Sequence, residues 1–185
     1  VYKRQCLYRG RLGNRARKID PSRMGKPPIE MSQHGRANPA GIPYLYVASD
    51  VSTAIAEKRP FVNDRITVGD FLVKSPLKVV DLRDPTIEDP FMYGDRLAFI
   101  VDHLGFLRKL GFELSKTISR RESDIEYIPL QYLCEFIKIC GYDGVIYESS
   151  VAEGHNLAIF ADDKLECTNT NLYEIEKIQY EYSKR

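Results

Sequence analysis

Three side chains with complementary chemistry are spaced along residues 35–57 of the sequence. Arg36 lies in a turn rich in Gly, Asn and Pro, Tyr46 in a short alternating apolar run, and Glu57 in the segment that follows. A guanidinium group binds phosphate oxygens with paired hydrogen bonds, and an aromatic ring stacks on a flat heterocycle. A carboxylate stabilises positive charge that develops on a sugar ring. Together these groups fit a ligand that combines a phosphate, a ribose and a cationic ring, as a nicotinamide dinucleotide does.

Each of the three residues also has a plain structural interpretation. An arginine in such a turn is commonly a surface residue, a tyrosine in a strand is commonly a core residue, and a helical glutamate commonly faces solvent. The spacing alone leaves both interpretations open.

The first forty residues carry an excess of positive charge. They contain ten lysines and arginines against two acidic residues, although the whole chain has a formal net charge of +1. Residues 5–11 are typical of a strand, in which Arg9 and Arg11 stand two apart and share a face. Such a row of cations is either a solvated surface or a binding surface for an anion such as phosphate.

The elements that should position these side chains begin with a strand. Residues 12–35 lack periodicity and predict a long loop. Residues 44–48 then alternate as a strand does, with Tyr44 and Tyr46 on the same face.

A helix is predicted directly after this strand, over residues 51–59. Ser49 or Asp50 is a suitable N-cap, and Pro60 should end the helix because it disfavours helical geometry in the residue before it. Glu57 lies off the apolar stripe of this helix. It therefore borders a cleft or faces solvent.

The rest of the chain mixes strands and helices without a regular βαβ rhythm. Alternating or Val- and Ile-rich runs predict strands at residues 66–73, 77–82, 144–149, 156–160 and 175–182, the last as a closing edge strand. Helical spacing predicts helices over residues 96–110 and 129–140, which Gly111 and Gly141 should stop. The second helix should turn Cys134 and Cys140 inward. This order favours an α+β fold.

Length and composition limit the remaining possibilities. The 185 residues suit a single domain, and a start at Val1 suggests a segment cut from a longer chain. The balanced charge argues against a nucleic-acid-binding protein, and no apolar run reaches the roughly 20 residues of a membrane span. The four cysteines show no CxxC spacing and the three histidines no HExxH motif, which predicts a reduced, cytoplasmic protein with no metal site. Neither a GxGxxG nor a P-loop motif is present.

Four segments of the sequence resemble the RES domain family, which is named for an arginine, a glutamate and a serine. The similarity extends from about Leu7 to Phe160. Its motifs are Gly35-Arg36-Ala37-Asn38-Pro39-Ala40-Gly41-Ile42-Pro43-Tyr44-Leu45-Tyr46, then Thr53-Ala54-Ile55-Ala56-Glu57, and later Gly141-Tyr142-Asp143-Gly144-Val145-Ile146-Tyr147-Glu148-Ser149-Ser150 with Asn156-Leu157-Ala158-Ile159-Phe160.

The resemblance implies an ADP-ribosyltransferase-like α+β fold, with antiparallel or mixed sheets around an NAD cleft and flanking helices. The family is best known for bacterial toxins that degrade NAD by phosphorolysis or hydrolysis of the nicotinamide–ribose bond. Two alternatives are mono-ADP-ribosylation of a protein and non-catalytic NAD binding. NAD would be the substrate, inorganic phosphate a possible co-substrate, and an antitoxin protein a possible partner.

The resemblance also assigns roles to residues. By motif position Arg36, Tyr46, Glu57 and Ser149 would be catalytic, and Arg9 matches an early arginine of the family and would bind substrate. Arg11, Tyr44, Ser150 and Asn156 are further residues that we expect to bind substrate. The family serine is either Ser149 or its neighbour Ser150. Ser149 is preferred, because it follows Tyr147 by two and shares its strand face.

Overall fold

The computed structural model describes residues 6–13, 17–83, 85–87, 89–116 and 127–179. Within these residues the strands are β1 (Cys6–Leu12), β2 (Leu45–Ala48), β3 (Arg65–Val73), β4 (Val79–Asp81), β5 (Gly144–Glu148), β6 (His155–Ile159) and β7 (Leu165–Glu174). The α-helices are α1 (Val51–Ala56), α2 (Leu97–Ser115) and α3 (Ile128–Ile139), and short 3-10 turns lie at Pro21–Arg23, Ile29–Met31 and Pro90–Arg96.

The described strands form one sheet in the order β4-β5-β6-β2-β1-β3-β7. β4 and β5 are parallel, whereas every other neighbouring pair is antiparallel. β2 and β1 therefore lie in the middle of a mixed sheet, and Tyr8 pairs with Ala48 there. The predicted α+β class is confirmed by this arrangement.

Alternation along the central strands fills a separate hydrophobic cluster on each face of the sheet. On β5, Val145 and Tyr147 join the cluster beneath α2 and α3, whereas Ile146 joins the cluster on the opposite face. β6 divides in the same way, with Ala158 on the helical face and Leu157 on the other. Both faces of these strands are buried, because apolar side chains alternate between two covered surfaces.

Helix α1 begins at a hydrogen-bonded cap and lies against β1 through a close backbone contact. The Asp50 carboxylate accepts hydrogen bonds from the backbone N–H of Thr53 at 2.8 Å and from the Ser52 hydroxyl at 2.6 Å. Burial opposes the charged carboxylate, but these hydrogen bonds hold the pKa of Asp50 below its usual range. A Cβ atom on Gly10 would lie 2.4 Å from the Ala54 carbonyl oxygen, so glycine allows α1 to lie directly on β1.

Two predicted helix ends are corrected by the structure. Helix α1 ends at Ala56 rather than at residue 59, and Arg59 has a positive φ of 46°. Helix α2 continues past Gly111 to Ser115. A Cβ atom on Gly111 would lie 1.9 Å from the Leu82 carbonyl oxygen. The glycine is thus required by packing and does not stop the helix.

Two further predictions are wrong. Residues 175–179 form no strand, and residues 180–182 lie outside the described part of the chain. The edge strand is instead β7, which pairs with β3. Cys140 is exposed at the end of α3, whereas Cys134 is buried as expected.

In the parts of the chain that the structure describes, no helix has both the length and the apolar character needed to span a membrane.

The contact at Gly111 predicts opposite effects of two glycine substitutions in α2. Gly111→Ala should lower the free energy of unfolding by about 1–3 kcal/mol, because the new methyl group would overlap the Leu82 backbone. Gly105→Ala should raise it by about 0.5–1 kcal/mol, because that position is exposed with nothing within 4 Å of a Cβ atom. Urea denaturation followed by circular dichroism measures both, and equal stability of the two variants would contradict the close contact.

Candidate functional site

A cleft of about 170 Å³ lies at the centre of the sheet, where β1 and β2 meet the end of α1. Its described lining contains one carboxylate and three cationic side chains, together with polar and aromatic groups. The lining residues are Tyr8, Arg9, Gly10, Arg36, Tyr46, Val47, Ala48, Ala54, Glu57, Lys58, Tyr147 and Asn156.

Glu57 lies at the C-terminal cap of α1, and two side chains fix its carboxylate. The Ser149 hydroxyl donates a hydrogen bond to Oε1 at 2.8 Å, and the Asn156 amide donates to the same oxygen at 2.6 Å. Asn156 is held in turn by its place on β6, between β2 and β5. Among the described residues, none donates a hydrogen bond to Oε2. The carboxylate is therefore oriented through one oxygen, and the other remains available to a ligand.

Tyr46 contributes its ring to the cleft, while its hydroxyl serves the neighbouring turn. The hydroxyl donates to Oδ1 of Asn38 at 2.7 Å and accepts from the Ala37 backbone N–H at 3.1 Å. The Asn38 amide nitrogen also donates to the carbonyl oxygens of Gln33, Pro39 and Ile42. Burial raises the pKa of Tyr46, so the hydroxyl stays protonated and its hydrogen bonds stay in place.

Arg36 is positioned by the helices on one face of the sheet. Its Nη1 donates to the carbonyl oxygen of Leu114 in the last turn of α2. Its guanidinium carbon lies 6.0 Å from the centroid of the Tyr127 ring. The Gln131 amide of α3 donates to the Gly35 carbonyl oxygen at 2.8 Å, which holds the preceding residue.

Arg9 is positioned by the loop that follows β1. Its Nη1 donates to the Gly25 carbonyl oxygen at 2.9 Å. Burial and the neighbouring Arg11 lower the pKa of Arg9 to about 10, so it remains charged at neutral pH. Arg11 donates to the Arg23 carbonyl oxygen and lines an adjoining cavity rather than the cleft. Arg9 lines this cavity as well as the cleft, so the predicted row of two cations meets in the adjoining cavity, whereas only Arg9 reaches the cleft.

The structure separates the remaining sequence candidates. Neither Ser149 nor Ser150 is among the described residues that line the cleft, but Ser149 donates a hydrogen bond to the Glu57 carboxylate, and no such bond is described for Ser150. Tyr44, predicted to bind substrate, is 2% exposed in the core and is not among the described residues that line the cleft. Its hydroxyl donates to the Glu135 carboxylate on α3. Burial and this carboxylate raise the pKa of Tyr44.

Sequence reasoning missed several residues of the site. Lys58 and Tyr8 line the cleft without having been singled out, and Tyr147 was considered only as a marker for Ser149. Asn38 was not assigned a role, although its side chain holds the Tyr46 hydroxyl. The sequence signal for Lys58 is its position beside Glu57 at the end of a short helix. Tyr8 gave no such signal, because adjacent residues of a strand point to opposite faces.

This arrangement can stabilise both a positive and a negative charge on one bound ligand. A fixed carboxylate can stabilise a developing cation, and the nearby guanidinium groups can bind an anion attached to it. In the described residues, no group of three or more His, Cys, Asp and Glu side chains could hold a metal ion.

Comparison with known proteins shows the family of the chain and the type of its fold. The family model of the RES domain matches residues 10–181. No curated protein matches the chain. The fold is similar to that of a chain in the crystal structure of the M. tuberculosis MbcT-MbcA toxin-antitoxin complex, with a TM-score of 0.52 and 15% sequence identity over 92% of this chain and 85% of that chain. The expected ADP-ribosyltransferase-like α+β fold is confirmed.

The hydrogen bonds of Tyr46 predict a stability cost for removing its hydroxyl. Tyr46→Phe leaves the buried Asn38 oxygen and the Ala37 N–H without this partner, which should lower the free energy of unfolding by about 1–3 kcal/mol. Tyr132→Phe is the matched control, because Tyr132 is 79% exposed and its substitution should change stability by less than about 0.5 kcal/mol. Equal urea midpoints for the two variants would show that the Tyr46 hydroxyl does not hold the turn.

Proposed function

The chain belongs to the RES domain family, and from that premise we propose that it consumes NAD by breaking the bond between nicotinamide and ribose. The observation that carries this proposal is the Glu57 carboxylate, which Ser149 and Asn156 hold by one oxygen in a cleft lined by cations. The reaction class is phosphorolysis or hydrolysis of NAD.

The orientation of Glu57 suits a reaction in which ribose becomes cationic. As the glycosidic bond breaks, positive charge grows on the sugar ring, in the manner of an oxocarbenium ion. Oε2 of Glu57 can face that charge, because its partner oxygen already takes both described hydrogen bonds. A carboxylate fixed before the reaction needs no reorganisation as charge develops. Ser149 and Asn156 act here as positioning residues for Glu57.

The anionic part of NAD requires a different set of residues. Arg9 and Arg36 both line the cleft and can hold the pyrophosphate or an incoming phosphate through their remaining N–H groups. The Tyr46 ring packs against the nicotinamide or its ribose. The Tyr46 hydroxyl takes no part in proton transfer, because Asn38 and Ala37 already engage it.

The bond changes balance without an acid catalyst. When the ribose C1–N bond breaks, its electron pair goes to the pyridinium nitrogen, and nicotinamide leaves as a neutral molecule. In phosphorolysis a phosphate oxygen forms the new bond to C1 and gives a phosphorylated ADP-ribose. In hydrolysis water forms that bond and releases one proton. Most of the rate enhancement then comes from orientation and charge stabilisation.

Two biological features accompany this proposal. A chain that consumes NAD would act as a toxin in the cytoplasm, where its substrate is found. The similar crystal structure is that of a toxin-antitoxin complex. We propose by analogy that this chain too has an antitoxin partner, which restrains the activity by covering the cleft.

The products identify the reaction. Purified protein is incubated with NAD, with and without inorganic phosphate, and the products are identified by mass. A phosphorylated ADP-ribose whose yield rises with phosphate supports phosphorolysis, and ADP-ribose supports hydrolysis. Transfer of label from adenylate-labelled NAD to a protein would replace the proposal with mono-ADP-ribosylation. Unchanged NAD would contradict the proposed reaction.

The role of Glu57 predicts a large kinetic effect from a small structural change. Glu57→Gln keeps the size of the side chain but removes its charge, and kcat for NAD consumption should fall by about a hundredfold or more. Glu153→Gln is the matched control, because Glu153 is exposed in the loop between β5 and β6 and does not line the cleft. Full activity of Glu57→Gln at saturating NAD would remove Glu57 from the mechanism.

A further inference from the structure

We infer that the cavity beside the cleft is a second anion-binding subsite, in which Lys58 and Arg11 bind a phosphate group together with Arg9. This cavity has a volume of about 320 Å³ and is lined by Arg9, Gly10, Arg11, Leu12, Ile19 and Lys58. Three of its six described lining residues are cationic and none is acidic. The inference rests on the proposed function where it names the source of the phosphate.

The two cavities share part of their lining, which makes them neighbouring parts of one surface. The cleft around Glu57 measures about 170 Å³, whereas pockets that enclose a ligand of drug size measure about 300–1,000 Å³. A dinucleotide is larger still, so the cleft encloses only its reacting end. Arg9, Gly10 and Lys58 line both cavities. A ligand that leaves the cleft along β1 therefore enters the cationic cavity directly.

Lys58 is a cation of this cavity whose charge is not paired within the described parts of the fold. It follows Glu57 at the end of α1 and is partly buried. Across the described parts of the chain, its ammonium group makes no hydrogen bond and no ion pair. A partly buried charge usually has a partner that repays the loss of water. A bound anion would supply that partner.

Arg9 and Arg11 are already oriented toward the same cavity. Each donates one hydrogen bond to the 23–25 loop, Arg9 to the Gly25 carbonyl oxygen and Arg11 to the Arg23 carbonyl oxygen. A guanidinium group has five N–H donors, so both retain donors for a ligand. These loop contacts reduce the freedom that the side chains would lose when they bind an anion.

The mutual repulsion of the three cations supports the same conclusion. Burial lowers the pKa of Lys58, and the charges of Arg9 and Arg11 lower it further, although Glu57 opposes the shift. The fold thus holds like charges together at a cost in stability. An anion bound among them would remove that cost, and a phosphate group matches both the charge and the forked geometry of the arginines.

Equilibrium binding of inorganic anions tests the subsite without turnover. Phosphate and pyrophosphate are titrated calorimetrically at pH 7 into the wild-type protein and into Lys58→Gln, Lys58→Arg and Arg59→Gln. Loss of one charged hydrogen bond should weaken binding by about tenfold in Lys58→Gln, and Lys58→Arg should restore most of the affinity. Arg59→Gln removes the same charge from the next residue, which lines a different cavity, and should bind as the wild type does.

Kinetics then identify the source of the phosphate group. A higher KM for NAD in Lys58→Gln, with kcat retained, places the dinucleotide's pyrophosphate in the subsite. A higher KM for inorganic phosphate places the co-substrate there. No anion binding by the wild type, or equal binding by Lys58→Gln and Arg59→Gln, overturns the subsite even if NAD is consumed. Anion binding that depends on Lys58 in a protein that leaves NAD intact supports the subsite and contradicts the proposed function alone.

Discussion

The site depends on two hydrogen bonds that converge on a single oxygen of Glu57. Ser149 follows β5 and Asn156 lies on β6, so both donors belong to the strand pair next to β2, whereas Glu57 comes from the end of α1. The hydrogen bonds join parts of the chain that are remote in sequence. They form only when β6 pairs with β2 and α1 lies on β1 through Gly10. The carboxylate geometry is thus a consequence of the central sheet rather than of a local motif.

Charge is distributed unevenly around this carboxylate. Glu57 is the one acidic residue of the described cleft lining, against Arg9, Arg36 and Lys58. The arginines are tied by carbonyl oxygens rather than by carboxylates. A carbonyl oxygen orients a guanidinium group without neutralising it, so the positive potential remains available to a ligand. If carboxylates paired with these arginines instead, the ion pairs would neutralise the positive charge and leave little attraction for a phosphate.

The features predicted correctly from the sequence are those that local pattern determines. Alternation predicted that Tyr44 and Tyr46 share a face, but it could not show how deeply each is buried. Tyr44 is buried against α3, where its hydroxyl donates a hydrogen bond to the Glu135 carboxylate. Gly111 was predicted to stop a helix because glycine is common after helix ends. Its actual role, packing against Leu82, is a contact between distant parts of the chain that the local sequence does not show. β7 was missed because an edge strand paired through its backbone to β3 can keep polar side chains and needs little apolar periodicity. The Asp50 cap, by contrast, is a local interaction and was predicted among two candidates.

The two sides of the cleft are supported by different parts of the core. Arg36 depends on the last turn of α2, which packs through Leu110 and Leu114 into the cluster beneath the helices. Glu57 depends on α1, whose Ala54 belongs to a separate small cluster with Ile66 and Val68. A disturbance of α2 would therefore displace Arg36 while leaving the Glu57 carboxylate in place. Because the proposed reaction needs the two charges at a fixed separation, the sheet that joins both clusters is the element that sets the catalytic geometry.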